Sequence, residues 1–313
     1  MTLLFLHFID LRKHMNIIQS HTIPANPPRL RLLDYSLEVI DTIVSRNGIK
    51  KALKKGALRL NGKMASGSEW IEEGLVITLI DLEEKAPKVF PLQLDVLYED
   101  DDLAVIYKPA GIMVSGNAFR TIENALQGNL KPSEAKDALK WPKPVHRLDA
   151  PTSGLLVIAK SVKARVELGK QFEQKTIKKR YQAVVTGKLS EERGHIYTPI
   201  EGKECHSEFI VEKCVRSLSN EYLSLVSLFP HTGKTHQLRI HMSESGHPIM
   251  GDQMYGKEGK MLKGKGLFLT AVELWFPHPI TQKVMQIGVK TPNKFHSLLE
   301  REEERWKKFK EGK

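Results

Sequence analysis

Cysteine is nearly absent from this 313-residue chain: Cys205 and Cys214 are the whole supply. Two thiols cannot build a disulfide framework, and at this separation they match no zinc-ligand spacing. A reducing, cytoplasmic setting is therefore expected. Long apolar runs are also missing. Met1 to Leu11 is apolar but broken by His7 and Asp10, too short to cross a bilayer, and accompanied by no basic leader or small-residue cleavage site. Met15 stands just before the polar, proline-bearing stretch Asn16 to Pro28. The expectation is a disordered tail over 1–28, with residues 1–14 either a tail or an upstream start read into the gene; intact mass of the native protein decides between these. No glycine-rich nucleotide-phosphate loop and no internal repeat occur. Acidic residues are missing altogether from Ser45 to Lys63.

What is present is a full core and an excess of positive charge. Hydrophobic residues make up 41% and charged residues 27%, as in a globular protein of two domains. Lysine and arginine number 48 against 37 acidic residues, a net charge of +11, which points to a polyanionic partner, nucleic acid before anionic membrane.

The acid-free stretch carries Arg46, Lys50, Lys51, Lys54, Lys55, Arg59 and Lys63. On a helix over Ile49 to Lys55, Ile49, Ala52 and Leu53 share one face, and the four lysines line the other. Gly56 can end the helix. Leu58 and Leu60 alternate with Arg59 as in a half-buried strand, and Asn61-Gly62 signals a tight turn. A solvated lysine face is the ordinary reading of such a run. The missing acidic partners favour a surface that tracks phosphates. The order of elements around "SRNGIKKALKKGALRLNGK" resembles the S-four-type RNA-binding module, which implies such a module over 29–82. A charged linker is expected over 83–91, a catalytic domain over 92–300, and a charged tail over 301–313 that reads as a helix end or frayed terminus.

From Leu92 onward short apolar segments alternate with turns: Leu94–Tyr98, Leu103–Tyr107, Leu155–Ala159, Tyr181–Val185, Leu223–Leu228 and Gln237–His241 read as strands. Ile122–Leu126 and Val162–Phe172 read as helices, and 128–141 as a mobile loop. The fold class is α+β: a small α/β module followed by a mixed, largely antiparallel β-sheet domain.

The segment His146 to Lys160, "HRLDAPTSGLLVIAK", is the most informative. Asp149 opens a turn carrying Pro151, and Gly154 leads into a buried strand. On spacing alone Asp149 could simply close its own turn. The segment resembles the signature of the RluA-type pseudouridine synthases. Tyr107-Lys108-Pro109-Ala110-Gly111, Lys179-Arg180-Tyr181 and "HTGKTHQLRIHMSESGHPIMGDQMYG" (231–256) resemble further family blocks in the same order.

The resemblance implies a division of labour. Asp149 is the nucleophile, acting at the anomeric carbon or by assisting glycal formation. Arg239 is its ion-pair partner, since a guanidinium favours the ionised carboxylate. Tyr181 lies against the uracil. Arg147 fills the space left by the flipped base, and Lys108, Lys234, Arg46 and the helix lysines hold phosphates. The substrate class is structured RNA, ribosomal ahead of transfer RNA. No cofactor, metal, membrane or obligate protein partner is implied, and a monomer is expected.

Two positions depart from the pattern. Lys234 stands where arginine is usual, which keeps charge but loses bidentate geometry, and Thr270 stands where histidine is usual. His231, His236 and His241 gather on no single face, so a zinc site is not expected. His146, beside Asp149, reads as a structural partner of the loop. A non-catalytic RNA-binding ribosome-assembly factor is the alternative, and it predicts decay of Asp149, Tyr181 and Arg239, all of which are present. A glycosidase needs a second carboxylate near the first, and none accompanies Asp149 in its block.

Overall fold

The computed structural model describes residues 16–43, 45–82, 88–256 and 264–311. Residues 1–14 and the 83–87 part of the expected linker lie outside these. The chain divides into two units, residues 1–87 and 88–313.

The first unit runs β1 (Asn16–Thr22), α1 (Leu32–Val39), α2 (Arg46–Lys55), β2 (Leu58–Leu60), β3 (Lys63–Met64) and β4 (Val76–Asp81). Its antiparallel sheet has the order β1-β4-β2-β3. Helix α2 begins where the Ser45 hydroxyl accepts from the Gly48 N–H and stops at Gly56, whose φ of 71° a side chain would resist. Ile49, Ala52 and Leu53 enter the core beside Leu32, Leu33 and Ile77, while Lys50, Lys51, Lys54 and Lys55 are exposed. Arg46 is turned to a different use, because it pairs with Asp34 of α1. The expected tail over 1–28 needs correction: Asn16–Thr22 is a strand paired with β4 along its length. Ile17 and Ile18 are both 52% exposed, so backbone pairing and not apolar burial holds this strand, and no hydrophobic alternation announced it.

The second unit comprises β5 (Asp95–Glu99), β6 (Leu103–Lys108), α3 (Ile122–Ala125), β7 (Ala138–Pro144), β8 (Ser153–Ser161), α4 (Val162–Glu173), β9 (Lys178–Thr186), β10 (Arg193–Ile196), β11 (Ser207–Ser217), β12 (Glu221–Pro230), α5 (Gln237–Glu244), β13 (Leu269–Pro277), β14 (Val284–Gly288) and α6 (Asn293–Glu311). These strands form one ten-stranded sheet with the main path β10-β11-β12-β9-β13-β8-β6-β5. Every pairing is antiparallel except β8 with β13. All nine residues of β8 are buried. Leu156 and Ile158 pack with Ala104 and Ile106 in one cluster, Leu155 and Val157 with Leu274 and Phe276 in another. Burying each such side chain stabilises the fold by roughly 1.5–3 kcal/mol, so β8 is a stiff base for the loop that precedes it.

Three further expectations differ from the structure. Gln237–His241 is the first part of helix α5, not a strand. The alternation of Gln237, Leu238, Arg239 and Ile240 imitates a strand, but Leu238 and Met242 are buried at the i, i+4 helical spacing. The segment 128–141 is anchored: the Asn129 amide donates to Leu92 O and Ala125 O, its oxygen accepts from Leu94 N–H, and Ala138–Pro144 pairs with β8. The boundary at 300 falls inside α6, whose Phe295, Leu298, Leu299 and Glu302 form one buried stripe. Glu302, inside the expected charged tail, is buried and held by the Ser217 hydroxyl.

Candidate active site

Asp149 sits on a short turn, closed by the Thr152 N–H donating to Asp149 O, immediately before β8. The turn is fixed at both ends. Downstream, Gly154 pairs with Ala271 of β13, and a Cβ there would lie 2.2 Å from Ala271 O, so only glycine lets the two strands approach. Ala271 also pairs with Tyr181 of β9 on its other side. One residue of β13 thereby sets the spacing between the Asp149 loop and the Tyr181 strand.

Upstream, Lys108 ends β6 with its side chain fully buried. Its Nζ donates to Pro109 O at 2.9 Å and Ala150 O at 3.1 Å. The expected role of Lys108 in holding phosphate is therefore corrected: its ammonium is spent inside the protein, clamping the loop that carries Asp149. Burial pulls its pKa from 10.5 down to about 8, with the Asp149 charge acting in the opposite direction.

Arg239, on α5, reaches Asp149 with Nη1 at 3.4 Å from Oδ2. Its stronger partner was not recognised in the sequence: Asp252 takes Nε and Nη2 in a bidentate pair at 2.7 Å each. Asp252 is buried and also accepts from the Met254 and Tyr255 N–H groups. Burial alone would raise its pKa, but the Arg239 hydrogen bonds and the two backbone donors bring it below the ordinary carboxylate value. His236 Nε2 lies 3.8 Å from Asp149 Oδ1, and its Nδ1 is in hydrogen-bond contact with the Tyr255 hydroxyl at 2.9 Å. In the sequence His236 reads only as one of three scattered histidines, and the fold brings it beside Asp149.

Tyr181 is half-buried, and both burial and the Asp149 charge push its phenol well above its usual value. It stays neutral and presents an uncharged ring. His146 accepts from the Val157 N–H and stacks on Phe172 at 4.5 Å. Burial, helped by the Lys179 charge, lowers its pKa to about 3, so it is a neutral structural acceptor.

Asp149, Arg239, His236, Tyr181 and His146 line a cleft of about 850 Å³ whose wall also carries Arg147, Lys175, Lys178, Lys179 and Lys234. Six cationic side chains, counting Arg239, face only two acidic ones, Asp149 and Glu208. Arg147 and Lys234 are exposed and line the same cleft as Asp149. The helix lysines of α2 belong to the first unit. The three histidines do not converge: His231 stacks on His206, His236 flanks Asp149, and His241 is buried against Ser207 and Thr198 O. No helix among the described residues is long and apolar enough to cross a membrane.

Residues 102–244 match the family model of RNA pseudouridylate synthase. An uncharacterised RNA pseudouridine synthase of Aquifex aeolicus is 34% identical over 281 residues, 81% of this chain and 88% of that one. The ribosomal large subunit pseudouridine synthase C of Rickettsia bellii is 31% identical over 305 residues, covering 88% of this chain and 99% of its own. Among solved structures, human RNA pseudouridylate synthase domain containing 1 superposes with a TM-score of 0.54 at 25% identity, over 64% of this chain and 84% of that one.

Proposed function

The chain belongs to the RluA-type RNA pseudouridine synthases, isomerases of uridine in RNA, and on that premise we propose that Asp149 is the nucleophile of the cleft. The observation that carries this reading is the convergence of Asp149, Arg239 and Tyr181 on one basic cavity. The uridine is flipped out of its stack, at a cost of a few kcal/mol, and Arg147 occupies the space it leaves. The Asp149 carboxylate acts at the ribose, and the bond between uracil N1 and C1′ breaks. The freed uracil turns against the neutral ring of Tyr181. Carbon 5 then bonds to C1′, loses its proton to solvent, and N1 ends protonated. No electrons are exchanged, and the reaction calls for no cofactor.

Arg239 holds Asp149 in place, and Asp252 and Lys108 hold Arg239 and the loop. Lys234 and the cations around the cleft meet phosphates, with Lys50, Lys51, Lys54 and Lys55 of an S-four-type module adding a second contact. Ribosomal RNA is the favoured substrate, since the Rickettsia relative, matched over nearly its whole length, is named for the ribosomal large subunit. The protein works as a cytoplasmic monomer.

The test is release of tritium from unmodified ribosomal and transfer RNA transcripts labelled at carbon 5 of uracil. Release from ribosomal RNA supports the assignment. Release from transfer RNA alone moves the substrate, and tight binding with no release from either returns the protein to an assembly role.

A further inference from the structure

Beside the cleft three rings are stacked in a row. Tyr197 lies on His206 with centroids 4.5 Å apart and planes 12° from parallel, and His206 lies on His231 at 4.1 Å and 11°. The sheet explains the row. Ile196 pairs with Ser207 at the end of β10 and β11, and Ser207 pairs with Pro230 at the end of β12. Tyr197, His206 and His231 are each the next residue beyond that line, so the strand spacing of about 4.8 Å sets the stacking distance. The His231 N–H donates to His206 O and fixes the last step.

The row is not a core. Tyr197 is 64% exposed and the His231 side chain 47%, although aromatic rings packed for stability are ordinarily covered. His206 is sandwiched between Tyr197 and His231, and His195 flanks the far end, in hydrogen-bond contact with His206 at 3.0 Å and 6.0 Å from the Tyr197 ring, which leaves the outer face of His231 as the open end of the row. One end belongs to the reaction cleft: His231 and Glu208 line the same cavity as Asp149. That cavity, at about 850 Å³, is at the upper end of the size that holds a drug-sized ligand, so a flipped uridine leaves room beside it. Its wall is predominantly cationic, matching a phosphodiester chain that continues past the uridine.

We propose that Tyr197, His206 and His231 form a stacking platform for an unpaired nucleobase next to the target uridine, with that base lying on the His231 ring and extending the row. This rests on the isomerase reading only in taking RNA as the occupant. Stacking on an aromatic ring accepts any base, purines best, and demands only that the base be unpaired. The platform would thereby restrict the substrate to uridines in loops or bulges with an unpaired neighbour.

The experiment uses the full chain, an RNA transcript carrying the modified uridine, and single abasic substitutions at the nucleotides flanking it. His231→Ala is expected to weaken binding and raise KM about 5- to 150-fold, the range for loss of one base stack, without changing the salt slope. His231→Phe keeps the ring and is expected to restore most of the affinity. In the wild-type enzyme one abasic position should impose the same loss, and that position should cost the His231→Ala variant nothing more. Unchanged Kd and KM in His231→Ala, an equal loss in His231→Phe, or additive losses at every abasic position would overturn the platform. Circular dichroism melting of each variant separates these results from misfolding. Wild-type protein that binds the transcript but releases no tritium would count against the isomerase reading, while the Kd comparisons would still decide the platform.

Discussion

Arg239 commits two of its N–H groups to Asp252, at 2.7 Å each, and touches Asp149 through the third nitrogen at 3.4 Å. The buried carboxylate thus fixes the orientation of the guanidinium and leaves one donor aimed at Asp149. Asp252 is a positioning residue, and the site has to be described as a triad of Asp252, Arg239 and Asp149.

Replacing Asp252 by Asn leaves a buried guanidinium without its compensating charge. Breaking such a pair costs about 3–5 kcal/mol. Urea unfolding of Asp252→Asn should show a loss of that order, and kcat should fall as Arg239 redistributes towards Asp149. Full activity in a variant that unfolds at the wild-type urea concentration would show that Asp252 supports neither.

Lys108 allows a sharper separation of roles. As a buried clamp, its replacement by Met should lower kcat while leaving the salt dependence of RNA binding untouched; a phosphate contact would take about one unit from the slope. Its pKa of about 8, against an ordinary 10.5, also dictates a pH effect. The folded protein holds this proton less tightly than the unfolded chain, so the group's cost to stability is present below pH 8 and fades between about 8 and 10.5. The ammonium that grips Ala150 O is lost over the start of that window. An alkaline fall in kcat centred near pH 8 is expected, without a matching fall in thermal stability from this group. A flat kcat from pH 7 to 9 would contradict it.

The exposed face of α2 should act through charge alone. Changing Lys50, Lys51 and Lys54 to Glu together should weaken RNA binding and flatten its dependence on salt, with the unfolding midpoint unaltered because Ile49, Ala52 and Leu53 carry the packing. An unchanged slope would mean that this helix does not meet the RNA.

How far the sequence could be read follows from how local each signal is. Helix α2, its glycine stop and the Asn61-Gly62 turn were legible because spacing and special backbone angles are written within a few residues; Asn61 and Gly62 do take positive φ, 47° and 77°. Asp149, Tyr181 and Arg239 were legible through family blocks, and they do meet in one cleft. Asp252 lay in plain view within such a block, but no local pattern says that an aspartate is buried or which arginine it grips. Lys108 reads as a surface cation until the loop carbonyl of Ala150 folds over it. Gln237 and His241 look like alternating strand residues; they are buried on α5 because the Gln237 amide donates to Ser207 Oγ and His206 O, and the His241 ring donates to Thr198 O and contacts the Ser207 hydroxyl, partners distant in the chain.

The most direct test of the central claim is tritium release from uracil carbon 5 by Asp149→Asn, measured beside its affinity for the same RNA. The account predicts that release disappears while affinity stays within a few-fold, because the amide keeps the shape of the loop and loses only the nucleophile. Continued release at a rate near that of the wild type would contradict it and remove Asp149 from the chemistry.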